Sequence, residues 1–90
     1  MPVKRCVLRN IHTLAEFYDD LARQLVFPPH FGRNLDALWD VLTGEVGGPF
    51  EIIWKDTDFA QEGLGADFDR LIALLDEVAA EREDFTFIRQ

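Results

Sequence analysis

Three short apolar stretches, separated by segments with helical periodicity, constrain the fold of this chain more than any other feature. They are Val3–Leu8, Phe50–Trp54 and Asp84–Ile88, and each contains β-branched or aromatic residues, which favour strands. Strands that are joined through helical crossovers pair in parallel. The sequence therefore predicts a small parallel sheet, in which the mostly apolar strand Phe50–Trp54 is covered on both faces.

The first intervening segment carries start and stop signals for a helix. Thr13 and Glu16 have the spacing of a capping box, and apolar residues then recur at helical spacing to about Val26. The stretch Phe27–Gly32 cannot continue this helix, because it holds two prolines and a glycine. We therefore expect a helix that begins at Thr13, followed by a stiff loop.

A second helix is predicted after this loop. Asn34 is a good N-cap and Gly44 a good C′ residue, so they bracket a helix over Leu35–Thr43. Apolar side chains fall on one arc of this helix and are expected to face the core. They are Leu35, Leu38, Val41 and Leu42.

The remaining segment predicts one short helical turn and one long helix. The turn covers Asp58–Gln61, and Asp67 caps a helix from Phe68 to about Arg82. Its apolar stripe is Phe68, Leu71, Ile72, Leu75, Val78 and Ala79. The expected fold is α/β in a single domain, 1–90, with a small three-stranded parallel sheet, three main helices and the short helical turn.

The charge balance narrows the choice of partner. The chain has 17 acidic and 9 basic residues, a formal charge of −8, and the acidic excess lies in the second part of the chain. This sign disfavours general binding to nucleic acid or to an anionic membrane. It favours a positively charged partner, although a merely solvated surface is also consistent with it.

The residues that are missing exclude several kinds of chemistry. The chain has no serine, so a Ser-His-Asp triad is impossible. Cys6 is the single cysteine, and its spacing from His12 and His30 matches no familiar metal site, so we expect neither disulfide, metal nor cofactor. Cys6 reads as a small buried packing residue rather than a nucleophile. Without a signal peptide pattern or a long apolar run, a cytoplasmic protein is expected.

Two helices carry residues that a plain fold does not require. Asp36 and Asp40 are like charges at i,i+4, which repel each other, and Trp39 lies beside them on the wheel. Trp39 either folds back over the prolines of the preceding loop or anchors a binding patch. Glu77 and Glu81 form a second i,i+4 pair, which is either a solvated face or part of one merged negative surface.

The stretch Phe31–Gly44, with the sequence FGRNLDALWDVLTG, resembles the barstar family, the intracellular protein inhibitors of barnase-type ribonucleases. The resemblance covers nearly the whole chain, in the order of its strands and helices. It implies a barstar-like fold and an inhibitor rather than an enzyme. It also implies that the segment from His30 to Gly44 plugs the active site of a small basic ribonuclease.

The resemblance further implies individual roles. The residue matching Asp40 takes the place of the RNA phosphate, while Asp36 and the main chain near Thr43 and Gly44 meet other basic groups. Glu77 reaches an arginine, and Glu81 makes a weaker contact. The full set of expected partner-binding residues is His30, Asn34, Asp36, Trp39, Asp40, Thr43, Gly44, Glu77 and Glu81.

Two positions depart from the family pattern. His30 stands where a tyrosine is common, and Glu45 stands where the best-known member has a tryptophan. The expected function is protection of the producing cell by phosphate mimicry. The alternatives are a barstar-fold module that binds another basic protein or a nuclease toxin, and a small enzyme that uses Asp36, Asp40 and His30 in acid–base chemistry.

Overall fold

Three parallel strands form the sheet of the computed structural model, which describes residues 3–90. Met1 and Pro2 of the expected 1–90 domain lie outside the described residues. The elements in chain order are β1 (Lys4–Leu8), α1 (Leu14–Leu25), α2 (Leu35–Asp40), a π turn (Val41–Glu45), β2 (Phe50–Trp54), α3 (Thr57–Leu64), α4 (Ala66–Glu81) and β3 (Phe85–Arg89). The predicted α/β class and parallel sheet are confirmed.

The sheet order is β1–β2–β3, with β2 in the centre, so that Cys6, Ile52 and Phe87 lie side by side. Ile52 and Trp54 are fully buried on one face of β2, whereas Ile53 on the other face is only half-buried. The helices pack on the first face. The expectation that both faces are covered is therefore wrong, because the helices form a single layer.

Aromatic packing joins that layer to the sheet. The Trp54 ring lies 5.0 Å from Phe17 of α1 and 5.3 Å from Phe68 of α4, measured between ring centroids. Cys6 is fully buried beneath the same layer, and this burial raises the pKa of its thiol to about 12. The thiolate is the reactive form of cysteine. Cys6 is thus a packing residue, as predicted.

The capping box at the start of α1 is confirmed. The Thr13 hydroxyl accepts a hydrogen bond from the Glu16 N–H at 3.1 Å, and the Glu16 carboxylate accepts one from the Thr13 N–H at 3.0 Å. The backbone N–H of His12 also donates to this carboxylate, and these bonds hold the pKa of Glu16 below its usual range. The side chains of Thr13 and Glu16 thus accept hydrogen bonds from backbone N–H groups that have no acceptor within the first turn of the helix.

The C-terminus of α1 is strained. Val26 caps the helix with φ 55° and ψ 65°, in the left-handed region, and it is 83% exposed. Its β-branched side chain disfavours that conformation and gains little from packing at this exposure.

Replacing Val26 by glycine is expected to raise the free energy of unfolding by about 1 kcal/mol, because glycine adopts left-handed dihedrals without a Cβ clash. Urea denaturation monitored by fluorescence measures the change. Val26→Ala is the matched control, since it keeps a Cβ and should gain less. A glycine variant less stable than the original chain would contradict this account.

Several predicted helix boundaries need correction. The second helix does not end at Thr43, since it continues through Gly44 as a π turn in which the Val46 N–H donates to the Val41 carbonyl at 3.0 Å. Gly44 is therefore not a C′ residue. The short turn expected near 58–61 is an eight-residue helix, α3. Residues 3–90 therefore form four helices, counting α2 and its π turn as one, because the predicted short turn is a full helix.

The start of α4 also differs from the prediction. Asp67 does not cap it: the cap is Gly65, at φ 59°, and Asp67 lies in the first turn, where Arg70 bonds to it at 2.9 Å. The positive φ of Gly65 allows the chain to reverse directly from α3 into α4. The helix consequently begins two residues earlier than Phe68.

A glutamine side chain covers part of the outer edge of β1. The Gln24 Nε2 donates to the Val7 carbonyl and its Oε1 accepts from the Val7 N–H, each at 2.9 Å. These backbone groups point away from β2, where no strand pairs with β1 in the described sheet. Over residues 3–90, the helices are too short or too polar to cross a bilayer.

Candidate functional site

The loop before α2 is held by aromatic packing. Phe31 contacts Phe27 and Tyr18 edge-on, at centroid distances of 4.9 Å and 5.7 Å. Arg33, at φ 54°, forms an ion pair with Asp19 on α1. The exposed His30 is therefore carried on a loop that is fixed on both sides.

Asn34 sets the direction of α2. Its Oδ1 accepts a hydrogen bond from the Ala37 N–H at 2.8 Å, as predicted for an N-cap, and its Nδ2 donates to the Gly32 carbonyl at 3.2 Å. Both ends of the amide are engaged within the chain. Its cap is confirmed, while its role toward a partner stays a prediction.

A groove of about 360 Å³ runs between α2 and α4, and we call it the α2–α4 groove. It brings together three of the predicted site residues, Asp36, Trp39 and Glu77, from two separate helices. The complete lining is Leu35, Asp36, Trp39, Arg70, Ala73, Leu74 and Glu77. Asp36 and Glu77 therefore line one groove together with Arg70, while a merged negative surface that meets a partner stays a prediction.

Trp39 is half-buried in this groove, packed against the core on the side of α4. On the side of the loop, the recess is lined by Ala37 and Asp40 of α2 rather than by Trp39. Leu74, a groove residue absent from the predicted stripe of α4, is buried. Its position as an apolar residue outside the predicted stripe was the one sequence signal that could have shown this contact between α4 and α2.

A second cavity of about 230 Å³ lies between α2 and the loop, and we call it the loop recess. It places His30, Asp40 and Glu45 around one opening. The lining is His30, Phe31, Gly32, Ala37, Asp40, Val41 and Glu45. The glutamate that departs from the family pattern thus lies in the same recess as Asp40.

The remaining predicted residues lie outside both cavities. The Thr43 hydroxyl donates to the Trp39 carbonyl at 2.7 Å, so it is engaged within the helix. Gly44 is exposed, and a Cβ added to it would contact nothing within 4 Å. Glu81 is exposed near the end of α4. The main chain of the π turn is therefore accessible to a partner at Gly44.

Comparison with known proteins bears on what this arrangement is. The model of the family described as Barstar (barnase inhibitor) matches residues 1–89. The chain belongs to the barstar family. It is also 38% identical, over 76 residues that make up 84% of each chain, to the Bacillus subtilis (strain 168) protein named "Putative ribonuclease inhibitor YrdF". The predicted resemblance to the barstar family is confirmed, and the proteins of this family are inhibitors rather than enzymes.

Four of the predicted site residues are acidic and have no lysine or arginine partner among residues 3–90. Within the described part of the chain, Asp36, Asp40, Glu77 and Glu81 form no ion pair with a lysine or arginine. Arg70, which lines the same groove, pairs with Asp67 instead. The site therefore presents free carboxylates beside a half-buried indole.

The side chains that line the two cavities offer carboxylates, an indole and an imidazole. Between residues 3 and 90, no group of three histidine, cysteine, aspartate or glutamate side chains is placed to hold a metal ion. The sequence's one thiol, Cys6, is buried away from this face. Carboxylates beside an aromatic ring suit a guanidinium, which donates bidentate hydrogen bonds to carboxylates and stacks on ring faces.

Proposed function

We propose that this chain inhibits a small basic ribonuclease by covering its active site with the face formed by α2, the π turn and α4. The observation that carries the proposal is the set of carboxylates without a cationic partner among residues 3–90 in two cavities along α2, the α2–α4 groove with Asp36 and Glu77 and the loop recess with Asp40. Membership of the barstar family and the name of the Bacillus subtilis relative support it.

Asp40 acts as the phosphate mimic in this mechanism. A ribonuclease active site concentrates positive charge to hold the RNA phosphate, and a carboxylate can take the phosphate's hydrogen bonds from arginine. The exposed His30 on the fixed loop lies across the same recess and would stack on a ring or guanidinium of the enzyme. Inhibition then follows from occupancy alone, with no chemistry on the inhibitor.

The α2–α4 groove adds a second anchor. Trp39 and Leu74 offer an apolar wall for the stem of an arginine side chain, and Asp36 and Glu77 offer carboxylates for its head. Two anchors on one rigid face fix the orientation of the enzyme. Produced inside the cell, such an inhibitor would protect it from a ribonuclease made for export.

Co-expression tests this function directly. We expect the chain to rescue bacterial cells from a toxic ribonuclease, with barnase as the first probe and a ribonuclease encoded beside the chain's own gene as the second. Purified protein should block RNA cleavage competitively. Failure to rescue from either enzyme, together with tight binding to an unrelated basic protein, would favour the alternative of a barstar-fold interaction module.

Salt should slow the association of the two proteins. Charges on the rim of an interface are screened over about 10 Å at 0.1 M salt, and opposite net charges speed the encounter. Stopped-flow fluorescence of Trp39 with the ribonuclease is expected to give an association rate that falls steeply between low and physiological salt. A rate independent of salt would contradict steering by the acidic face.

A further inference from the structure

We propose that Arg82 is a positioning residue for the binding face: it holds the π turn Val41–Glu45 against the end of α4, so that the main chain at Gly44 is presented in a fixed conformation. This inference rests on the proposed function. It concerns a residue that lies outside both cavities and that the sequence pattern did not single out.

The contacts of Arg82 join three separate parts of the chain. Its Nη1 donates to the carbonyls of Leu42 and Val46, at 2.8 Å and 2.7 Å. Its Nε and Nη2 donate to the two carboxylate oxygens of Asp84, at 2.8 Å and 2.7 Å. The guanidinium carbon lies 4.8 Å from the centre of the Phe50 ring. One side chain thus links the π turn, the start of β3 and the start of β2.

The π turn needs such a partner. The last carbonyls of a helix have no intrahelical donors, and neither α2 nor the π turn has a basic residue in its last turn. Arg82 supplies a cation to this helix end from another element, which the helix dipole also favours. Its side chain is only 16% exposed, so water replaces these bonds poorly.

The pair of Arg82 and Asp84 is itself confined by the loop before β2. A Cβ added to Gly48 would lie 1.8 Å from Asp84 Oδ2 and 3.0 Å from Arg82 Nη2, so the glycine backbone packs directly on the pair. The side-chain hydrogen bond from Arg82 also holds the pKa of Asp84 below its usual range. The guanidinium therefore has one orientation available, with its Nη1 aimed at the two carbonyls.

Loss of this link should loosen the π turn without unfolding the sheet. A binding segment that spends only a fraction of its time in the competent conformation binds more weakly by that fraction. Removing the guanidinium should consequently weaken ribonuclease binding even though Arg82 lies outside the two cavities that receive the enzyme.

The experiment compares Arg82→Met with Arg82→Lys and with Arg23→Met. The methionine variant removes the fork, the lysine variant keeps the charge and one donor to the carbonyls, and Arg23→Met makes the same charge change on α1, where Arg23 pairs with Asp20. Hydrogen exchange of the Val46 amide, measured by NMR on the free protein, reports the π turn directly. The Ile52 amide in β2 reports global unfolding.

In Arg82→Met we expect Val46 exchange to rise at least about tenfold relative to Ile52 exchange, and the Kd for the ribonuclease to rise about tenfold. Arg82→Lys should recover part of both, and Arg23→Met should change neither. Equal exchange ratios in the original chain and Arg82→Met would overturn the inference, as would faster Val46 exchange with an unchanged Kd. If the original chain binds no ribonuclease, the proposed function fails, while the exchange ratio still decides whether Arg82 fixes the turn.

Discussion

Replacing Asp40 by alanine is expected to weaken binding to the cognate ribonuclease by at least about 30-fold, or about 2 kcal/mol. Asp40 lines the loop recess, is exposed in the free chain and pairs with no cation among the described residues. In the complex, its loss would leave the basic groups of the enzyme buried without a counter-charge, which is the costly part of such a truncation. Steady-state inhibition of RNA cleavage measures the change.

Asp40→Ala should leave the free energy of unfolding unchanged, because the Asp40 carboxylate makes no ion pair within the described chain. Asp36→Ala should also weaken binding, through the α2–α4 groove. Glu62→Ala on α3 is the matched control, since it removes one exposed negative charge outside both cavities and should alter binding by less than about twofold. If Asp40→Ala and Asp36→Ala both inhibit as well as the original chain, the acidic face is not the contact surface.

Replacing Trp54 by alanine is expected to lower the free energy of unfolding by about 3–5 kcal/mol, a large part of what a domain of this size has. Trp54 is fully buried between Phe17 and Phe68, so its removal leaves a large void where α1 and α4 meet the central strand. Urea unfolding followed by circular dichroism measures this change, because the substitution removes a fluorophore.

Phenylalanine at the same position should cost far less, within about 1 kcal/mol of the original chain. The buried Nε1 of Trp54 has no hydrogen-bond acceptor among the described residues, so the smaller ring removes an unsatisfied donor as it loses contacts. Comparing Trp54→Phe with Trp54→Ala separates the loss of ring packing from the removal of the unsatisfied N–H donor. Equal losses for the alanine and phenylalanine variants would mean that ring packing does not dominate at this position.

The elements of the fold were predictable where local signals agree with tertiary packing. The capping box of Thr13 and Glu16 fixes the start of α1 through bonds within four residues of sequence. The three apolar stretches and their helical separations predict the parallel sheet because hairpins are impossible with such connections. Signals between residues that are close in sequence therefore predict most of the helices and the parallel sheet.

The errors arise where a distant residue decides a local conformation. Gly44 carries the signal of a helix end, yet the helix continues through it, and Arg82 satisfies carbonyls of Leu42 and Val46 from 36 or more residues away. Likewise, Ile53 belongs to an apolar strand but lacks a second helical layer to cover it. No periodicity within a single segment contains that information.

The candidate site divides in the same way. The helical wheel isolated Asp36, Asp40 and Trp39 because their spacing conflicts with a plain amphipathic helix, and the resemblance to the barstar family supplied roles for them. Their separation into two cavities was not predictable, since it depends on which side of α2 meets the loop and which side meets α4. The place of Leu74 in the groove depends on the same packing of α2 against α4, so it was not predictable either.

The hydrogen bonds between Gln24 and Val7 bear on how the protein behaves when it is crowded with copies of itself. An unpaired edge strand is a template on which another chain can extend the sheet, which is one route to aggregation. At Val7, the fourth of the five residues of β1, the glutamine amide already occupies the donor and acceptor that such a chain would need. An incoming strand must first displace the Gln24 side chain from these two backbone groups. One glutamine therefore protects this edge, a task for which many sheets use a proline or a bulge.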